Sequence, residues 1–282
     1  MGLRREARTA LAAAGRRPRR RWGQHFLCDP RVVDRIVHLA ELDAASSVLE
    51  IGPGLGALTD ALVRTAGTVH LVEIDPALAE RLRARYGTAA HVRVVAGDVL
   101  ALSLDDLLGD DAAAVAVSNL PYNVSTPVLF RLLAWRHRLP RAVLMLQREV
   151  AERITAPPGG RIRGALGVMI QTYADVEPVL AVSPASFHPP PRVRSTVLRV
   201  RWLAAPRVPV GDPDLHGRVV HAAFGTRRKM LRNALAPLAR TRGLDADGLA
   251  HVLRAAAVDG QARAETLSVG DFGRLSTAFE AA

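Results

Sequence analysis

The sequence predicts a doubly wound α/β fold: an open parallel sheet, followed by a smaller all-helical C-terminal domain. Three observations predict it. Short apolar runs alternate with helical patterns from residue 30 to about residue 150. Glycines, acids and an asparagine fall just after those runs. From Leu215 onward the strand signal fades and a helical period takes over. Strands alternating with helices across short turns require a parallel sheet covered on both faces.

The elements follow in order. Asp29 can cap a helix that Pro30 opens, and Val32, Val33, Ile36, Val37 and Leu39 form its apolar stripe. Residues 47–51 read as a short buried strand. The turn Gly52-Pro53-Gly54-Leu55-Gly56 leads into a helix over 57–64. A second strand, 68–74, ends in the acids Glu73 and Asp75, and Pro76 opens the next helix. Strands over 91–96, 113–117 and 142–147 end at Gly97-Asp98, Ser118-Asn119 and Arg148-Glu149. Two further strands are expected over 166–173 and 195–201, separated by the proline-rich bend at 187–191. Residues 204–213 hold three prolines and read as a linker. The expected division is a basic, disordered tail over 1–21, a sheet domain over 22–205 and a helical domain over 206–282.

Composition narrows the function classes. Hydrophobic residues make up 49% of the 282, enough for a sizeable core. No apolar run approaches the ~20 residues of a membrane span, so no membrane association is expected. The single cysteine, Cys28, excludes an internal disulfide and suits a reducing cytoplasm. Nine histidines include no HExxH or CxxC-type array, so no metal is expected. The net charge is +11, and Lys229 is the only lysine. Residues 1–22 carry eight arginines against one glutamate, so the tail supplies most of that excess and would attract a polyanion. Its arginine content also fits an organelle transit peptide, but it lacks serine.

Open parallel sheets bind ligands at the carboxyl ends of their strands. Gly52–Gly56, Glu73, Asp98 and Asn119 occupy those ends. The glycines admit close approach of a ligand, and the helix that follows offers free N–H groups. Glu73 can accept from both hydroxyls of a ribose, and Asp98 from an adenine amine. The loop is GxGxG rather than GxGxxG, and by itself it does not separate NAD from S-adenosylmethionine. Asn119-Leu120-Pro121-Tyr122 adds the chemistry. An adenine N6 is a poor nucleophile, because its lone pair is delocalised into the ring. The Asn119 side-chain oxygen and the Leu120 carbonyl can orient both N–H groups. Pro121 fixes the turn, and Tyr122 can stack on a flipped base at about 1–3 kcal/mol. Positioning beside a sulfonium methyl then suffices. The bland alternative for this tetrapeptide is a strand-ending turn with a buried tyrosine.

On these residues the sequence resembles the ribosomal RNA adenine N6,N6-dimethyltransferase family, in its KsgA-type branch acting on small-subunit rRNA. The matching stretches are Gly23-Gln24-His25-Phe26-Leu27, EIGPGLGALT at 50–59, Glu73-Ile74-Asp75, Gly97-Asp98, NLPYNVSTP at 119–127, QREVAER at 147–153, FHPPPRVRS at 187–195 and FGTRRKMLRNAL at 224–235. The resemblance implies a Rossmann-like class I methyltransferase sheet, S-adenosyl-L-methionine as cofactor, and dimethylation of N6 of two adjacent adenines near the 3′ end of 16S rRNA. The implied partners are small-subunit rRNA and the immature small ribosomal subunit, met by a monomer. His25 and Leu27 would contact the methionine end of the cofactor. Gly52 and Gly54 would approach it, Glu73 and Ile74 would take the ribose, and Asp98 and Val99 the adenine. Asn119 would lie between cofactor and target, and Phe187 would flank the target base opposite Tyr122. Family members often carry Asn where this chain has His25, which favours a backbone contact there. They usually have Tyr-Gly-Arg-Leu-Ser-Val where this chain has Arg163-Gly164-Ala165-Leu166-Gly167-Val168, which puts local RNA contacts in doubt.

Cations suit the RNA role. Arg227, Arg228, Lys229 and Arg232 read as one helical stretch able to meet a phosphate backbone, and Arg192 and Arg194 flank the proline bend. Three alternatives stay open. The first is an Erm-type enzyme modifying 23S rRNA and conferring macrolide resistance. The second is a ribosome-assembly factor whose binding matters more than its catalysis. The third, an NAD-dependent oxidoreductase, is weakened by the loop spacing and the lack of a hydride-transfer acid/base.

Overall fold

The structure is a computed structural model that describes residues 2–5, 8–9, 24–226 and 228–282. Five strands in chain order build the parallel part of the sheet: β2 (Ser47–Ile51), β3 (Thr68–Glu73), β4 (Val92–Ala96), β5 (Val115–Asn119) and β6 (Arg141–Gln147). The sheet order is β4-β3-β2-β5-β6-β9-β7, where β7 is Ala174–Val182 and β9 is Ser195–Trp202. β9 runs antiparallel to β6, with Ser195 opposite Gln147. A separate two-stranded ribbon joins β1 (Phe26–Leu27) to β8 (Phe187–His188), with Leu27 opposite Phe187. The central strands are buried nearly throughout, as strands covered on both faces must be.

The helices are set by local signals. In α1 (Pro30–Leu39) the Asp29 side chain accepts from the Arg31 N–H, proline opens the first turn, and Val33, Ile36 and Leu39 face the core. α2 is Thr59–Thr65. Asp75 caps α3 (Pro76–Tyr86) in the same way by accepting from Ala77 N–H. α4 (Leu104–Leu108) opens on a Ser103/Asp106 capping box. α5 is Ser125–Ala134 and α6 is Arg148–Thr155. Each buried Ile or Leu on these faces contributes roughly 1.5–3 kcal/mol.

The expected strand over 166–173 is instead a helix, α7 (Ala165–Tyr173). Gly167, Val168, Met169, Ile170, Thr172 and Tyr173 are all buried, so the helix has no polar face to show a 3.6-residue period. The strand that follows it, β7, escaped the sequence reading. It carries Asp175, Glu177 and Pro178 and lies at the sheet edge, where such residues are tolerated.

The chain divides into two compact units, 1–151 with 176–202 and 152–175 with 203–282. The helical unit therefore draws in α7 as well as the C-terminal helices. In it, α8 (Pro213–Phe224) packs against α9 (Leu231–Thr241) and α11 (Val269–Glu280), and α10 (Ala246–Ala255) packs against α9 and α11. Phe224 stacks on Phe272 at 5.7 Å between ring centroids. Inside this unit Arg163 is fully buried, and its Nη1 donates to the Ala156 carbonyl at 2.6 Å and to Gln171 Oε1 at 3.1 Å. The departure from the family pattern at Arg163 thus turns inward. Of the expected tail, residues 2–5 and 8–9 fall among those described; 3–5 and 8–9 are helical, and Arg4 donates to the Ala185 carbonyl. No helix among the described residues is long and apolar enough to cross a membrane.

Candidate active site

β2 lies between β3 on one side and β5 on the other, so the winding reverses there and leaves a crevice at the carboxyl ends of β2 and β5. A pocket occupies that crevice, lined among others by His25, Leu27, Glu50, Gly52, Gly54, Glu73, Ile74, Asn119, Leu120, Pro121 and Tyr122. The glycine turn shapes its floor. Gly54 has φ +60, and a Cβ there would sit 3.1 Å from the Phe26 ring. Its N–H donates to Glu73 Oε2 at 3.0 Å, while Asp75 N–H donates to Glu73 Oε1 at 2.9 Å. Two backbone donors thus hold the Glu73 carboxylate at the strand tip and leave each oxygen a second lone pair. Burial pushes the Glu73 pKa up despite them.

Glu50 also lines the pocket and was missed as a site residue. It is 2% exposed, with one hydrogen bond from Thr59 Oγ1 at 2.7 Å, and burial pushes its pKa to about 8. The signal was present: an acid inside an otherwise apolar strand requires a reason. No lysine or arginine is among the described residues that line the pocket. Two acids without a basic side chain suit a ligand carrying positive charge, and they disfavour the pyrophosphate of a dinucleotide.

Asn119, at the tip of β5, is half-buried. Its Nδ2 donates to the His25 carbonyl at 3.2 Å. Its Oδ1 is buried and has no hydrogen-bond partner. A buried acceptor left unmet costs about 1–3 kcal/mol, so this oxygen awaits a donor. Leu120 is buried, with its N–H on the Met145 carbonyl at 3.1 Å. A Cβ on Gly52 would touch the Pro121 ring at 3.4 Å, which sets the glycine turn directly against the Asn119–Tyr122 turn. The Tyr122 and Ser195 hydroxyls share a hydrogen bond of 2.5 Å, and the Tyr122 ring lies 5.4 Å from the His25 ring at a 30° tilt. Burial raises the Tyr122 pKa, so the phenol is neutral. The β1–β8 ribbon carries residues 24–27 to the pocket.

Not every expected residue reaches it. Asp98 and Val99 follow β4, the strand beside β3, and do not line the pocket; Asp98 is exposed and accepts from Leu100 N–H at 2.9 Å, while Val99 is buried. Phe187, expected to flank the target base, is wholly buried in the apolar core, opposite Leu27 in the ribbon. Arg192 and Arg194 are exposed on the loop before β9. Arg228 and Lys229 are exposed in the turn between α8 and α9, and Arg232 is exposed in the first turn of α9. They do not share one helix as expected, because α8 ends at Phe224 with Gly225 as its cap. Arg227 lies outside the described residues.

The fold and the pocket define a methyltransferase of the Rossmann-like class. The chain belongs to the ribosomal RNA adenine dimethylase family, which it matches over residues 15–274. It is 46% identical to a protein of Syntrophotalea carbinolica named ribosomal RNA small subunit methyltransferase A, over 92% of this chain and 96% of that one. It is 44% identical to the protein of that name from Geobacter sulfurreducens, over 95% and 97%. Among solved structures, a dimethyladenosine transferase from Plasmodium falciparum superposes with a TM-score of 0.76 at 24% identity, covering 91% of this chain and 98% of that one. The 23S rRNA methyltransferase ErmE superposes with a TM-score of 0.66 at 26% identity, covering 90% and 99%.

Proposed function

We propose that this enzyme dimethylates N6 of two adjacent adenines near the 3′ end of 16S rRNA, using S-adenosyl-L-methionine, on the immature small subunit in the cytoplasm, as a monomer. The observation that carries this reading is the buried, unpartnered Asn119 Oδ1 beside Tyr122 in an acid-lined pocket. The names of the relatives support the small-subunit target: identity reaches 46% to proteins named for the small subunit and 26% to ErmE. The large-subunit alternative is correspondingly weaker.

The residues present fit the cofactor. Gly52 and Gly54 leave room for close approach, Glu73 would take the ribose hydroxyls, and Glu50, protonated at neutral pH in the cofactor-free chain, would ionise beside the cationic end. Ile74 would supply apolar contact inside the pocket, with His25 and Leu27 closing the methionine end, and Asp98 would accept from the adenine amine beyond the residues that line it. When bound, the cofactor supplies a methyl group already activated on a sulfonium. The protein's share is placement. Asn119 Oδ1 accepts one N6–H and the Leu120 carbonyl the other, which draws the nitrogen lone pair out of conjugation. Tyr122 supports the base face. No strong general base is required, since N6 sheds its proton after transfer.

Mass spectrometry of small-subunit rRNA after incubation with labelled cofactor tests the reading. Wild type is expected to convert two neighbouring adenosines to dimethyladenosine. Asn119→Ala is expected to lower the rate by about 100-fold or more, the scale of losing a positioned transition-state partner, while calorimetry shows cofactor affinity largely intact. Wild-type rates in that variant would remove the mechanism. The assembly-factor alternative makes a different forecast: Asn119→Ala rescues every defect of a null strain.

A further inference from the structure

Two aromatic rings wall the pocket, and one loop holds both. At its start, the Pro189 carbonyl accepts from His25 Nδ1 at 2.9 Å. At its end, the Ser195 hydroxyl meets the Tyr122 hydroxyl at 2.5 Å. Between these anchors Arg192 and Arg194 are exposed, and the Arg194 carbonyl takes the Arg148 N–H at 2.9 Å. The centroids of the two rings so held lie 5.4 Å apart, with the planes tilted by 30°.

The two partners in the Tyr122–Ser195 bond differ in how firmly they are held. Tyr122 sits in a turn beyond β5, where the backbone fixes Asn119 and Leu120 but leaves the ring its own torsions. Ser195 is 1% exposed and is the first residue of β9, locked opposite Gln147 in the ladder. A hydrogen bond from a turn residue's tip to a sheet residue therefore transfers the rigidity of the sheet to the ring. The ring plane matters, because stacking on a base needs parallel faces.

We propose that Ser195 is a positioning residue for the methyl transfer: through the Tyr122 hydroxyl it sets the plane on which the target base stacks, and the 189–195 loop holds the His25 and Tyr122 walls in register. This rests on the reading of Tyr122 as the base platform. Ser195 itself touches no reacting atom.

A double-mutant cycle on the full chain tests it, with Ser195→Ala, Tyr122→Phe and the double variant assayed for methyl transfer to immature small subunits. Either single change is expected to lower kcat by roughly tenfold, about 1.4 kcal/mol at the barrier, and the double variant to lose no more than either single, since all three lack the same bond. Cofactor affinity by calorimetry is expected to stay at the wild-type value. Additive losses would overturn the proposal, as would wild-type kcat in Ser195→Ala. If Ser195→Ala loosens β9 and lowers the melting temperature, Tyr122→Phe decides alone: it keeps the ring and removes the bond, so full kcat there overturns the proposal. An inactive wild type would instead sink the parent reading, which keeps the two failures distinct.

Discussion

The Asn119 amide is divided between structure and chemistry. Its nitrogen is spent on the His25 carbonyl, which fixes the orientation of the group, and its oxygen is left without a partner. Glu50 is a second residue whose state depends on the pocket. Its pKa rises from 4.5 unfolded to about 8 folded because burial penalises the carboxylate. Below the lower value both states are protonated and no cost arises. Between the two, the folded chain holds a proton that the unfolded chain releases, so cofactor-free stability falls as pH rises from about 4.5 to 8. Glu50→Gln keeps an acceptor for Thr59 and cannot ionise. Denaturant unfolding without cofactor is expected to show a flatter pH slope for that variant and a stability above wild type beyond pH 8; parallel slopes would refute it. Asp98 is exposed, and its side chain accepts from Leu100 N–H. If it grips the cofactor's adenine, Asp98→Ala weakens binding by about tenfold, the worth of one hydrogen bond to a charged acceptor. Unchanged calorimetric affinity would withdraw that assignment.

At the scale of elements, the helix starts at 30 and 76 were legible because each carries an Asp-Pro signal that acts locally, whatever the rest of the chain does. The strands β2, β3, β5 and β6 were legible because burial on both faces requires nearly unbroken apolar runs. α7 was not, for the same reason in reverse: a helix buried all round shows the same unbroken run. The bundle also encloses His216, which no local pattern marks. Its Nδ1 lies 2.8 Å from Ser276 Oγ and its side chain is wholly buried, and burial lowers its pKa from 6.5 to about 4. The unfolded chain takes up a proton as pH falls below about 6.5 while the folded chain does not, so stability is lost from about 6.5 down to 4, by up to about 3 kcal/mol. Thermal melts of wild type are expected to fall more steeply between pH 7 and 5 than those of His216→Gln. Equal slopes would show that His216 titrates freely.

Across the whole molecule, the +11 charge is a property of the sequence, but where the cations stand is decided by the fold. Arg228, Lys229 and Arg232 form a turn and a helix start rather than a helical stripe, and a turn can follow a curved phosphate path. Reversing all three to Glu is expected to weaken rRNA binding and to reduce its log–log salt slope by up to about 0.9 per lost phosphate contact, with cofactor affinity untouched. Filter binding across salt concentrations checks this, and an unchanged slope would place the RNA path elsewhere. By itself the sequence determined the alternating sheet, the strand-tip residues Gly52, Gly54, Glu73 and Asn119, and the family, because periodicity, caps and glycine turns act over a few neighbouring residues. Only the tertiary structure decided that Phe187 belongs to the core, that Glu50 faces the pocket, and that Ser195 holds Tyr122. Those facts join residues as far apart in the chain as Leu27 and Phe187, and which side chain meets which across such distances is fixed by strand order and register.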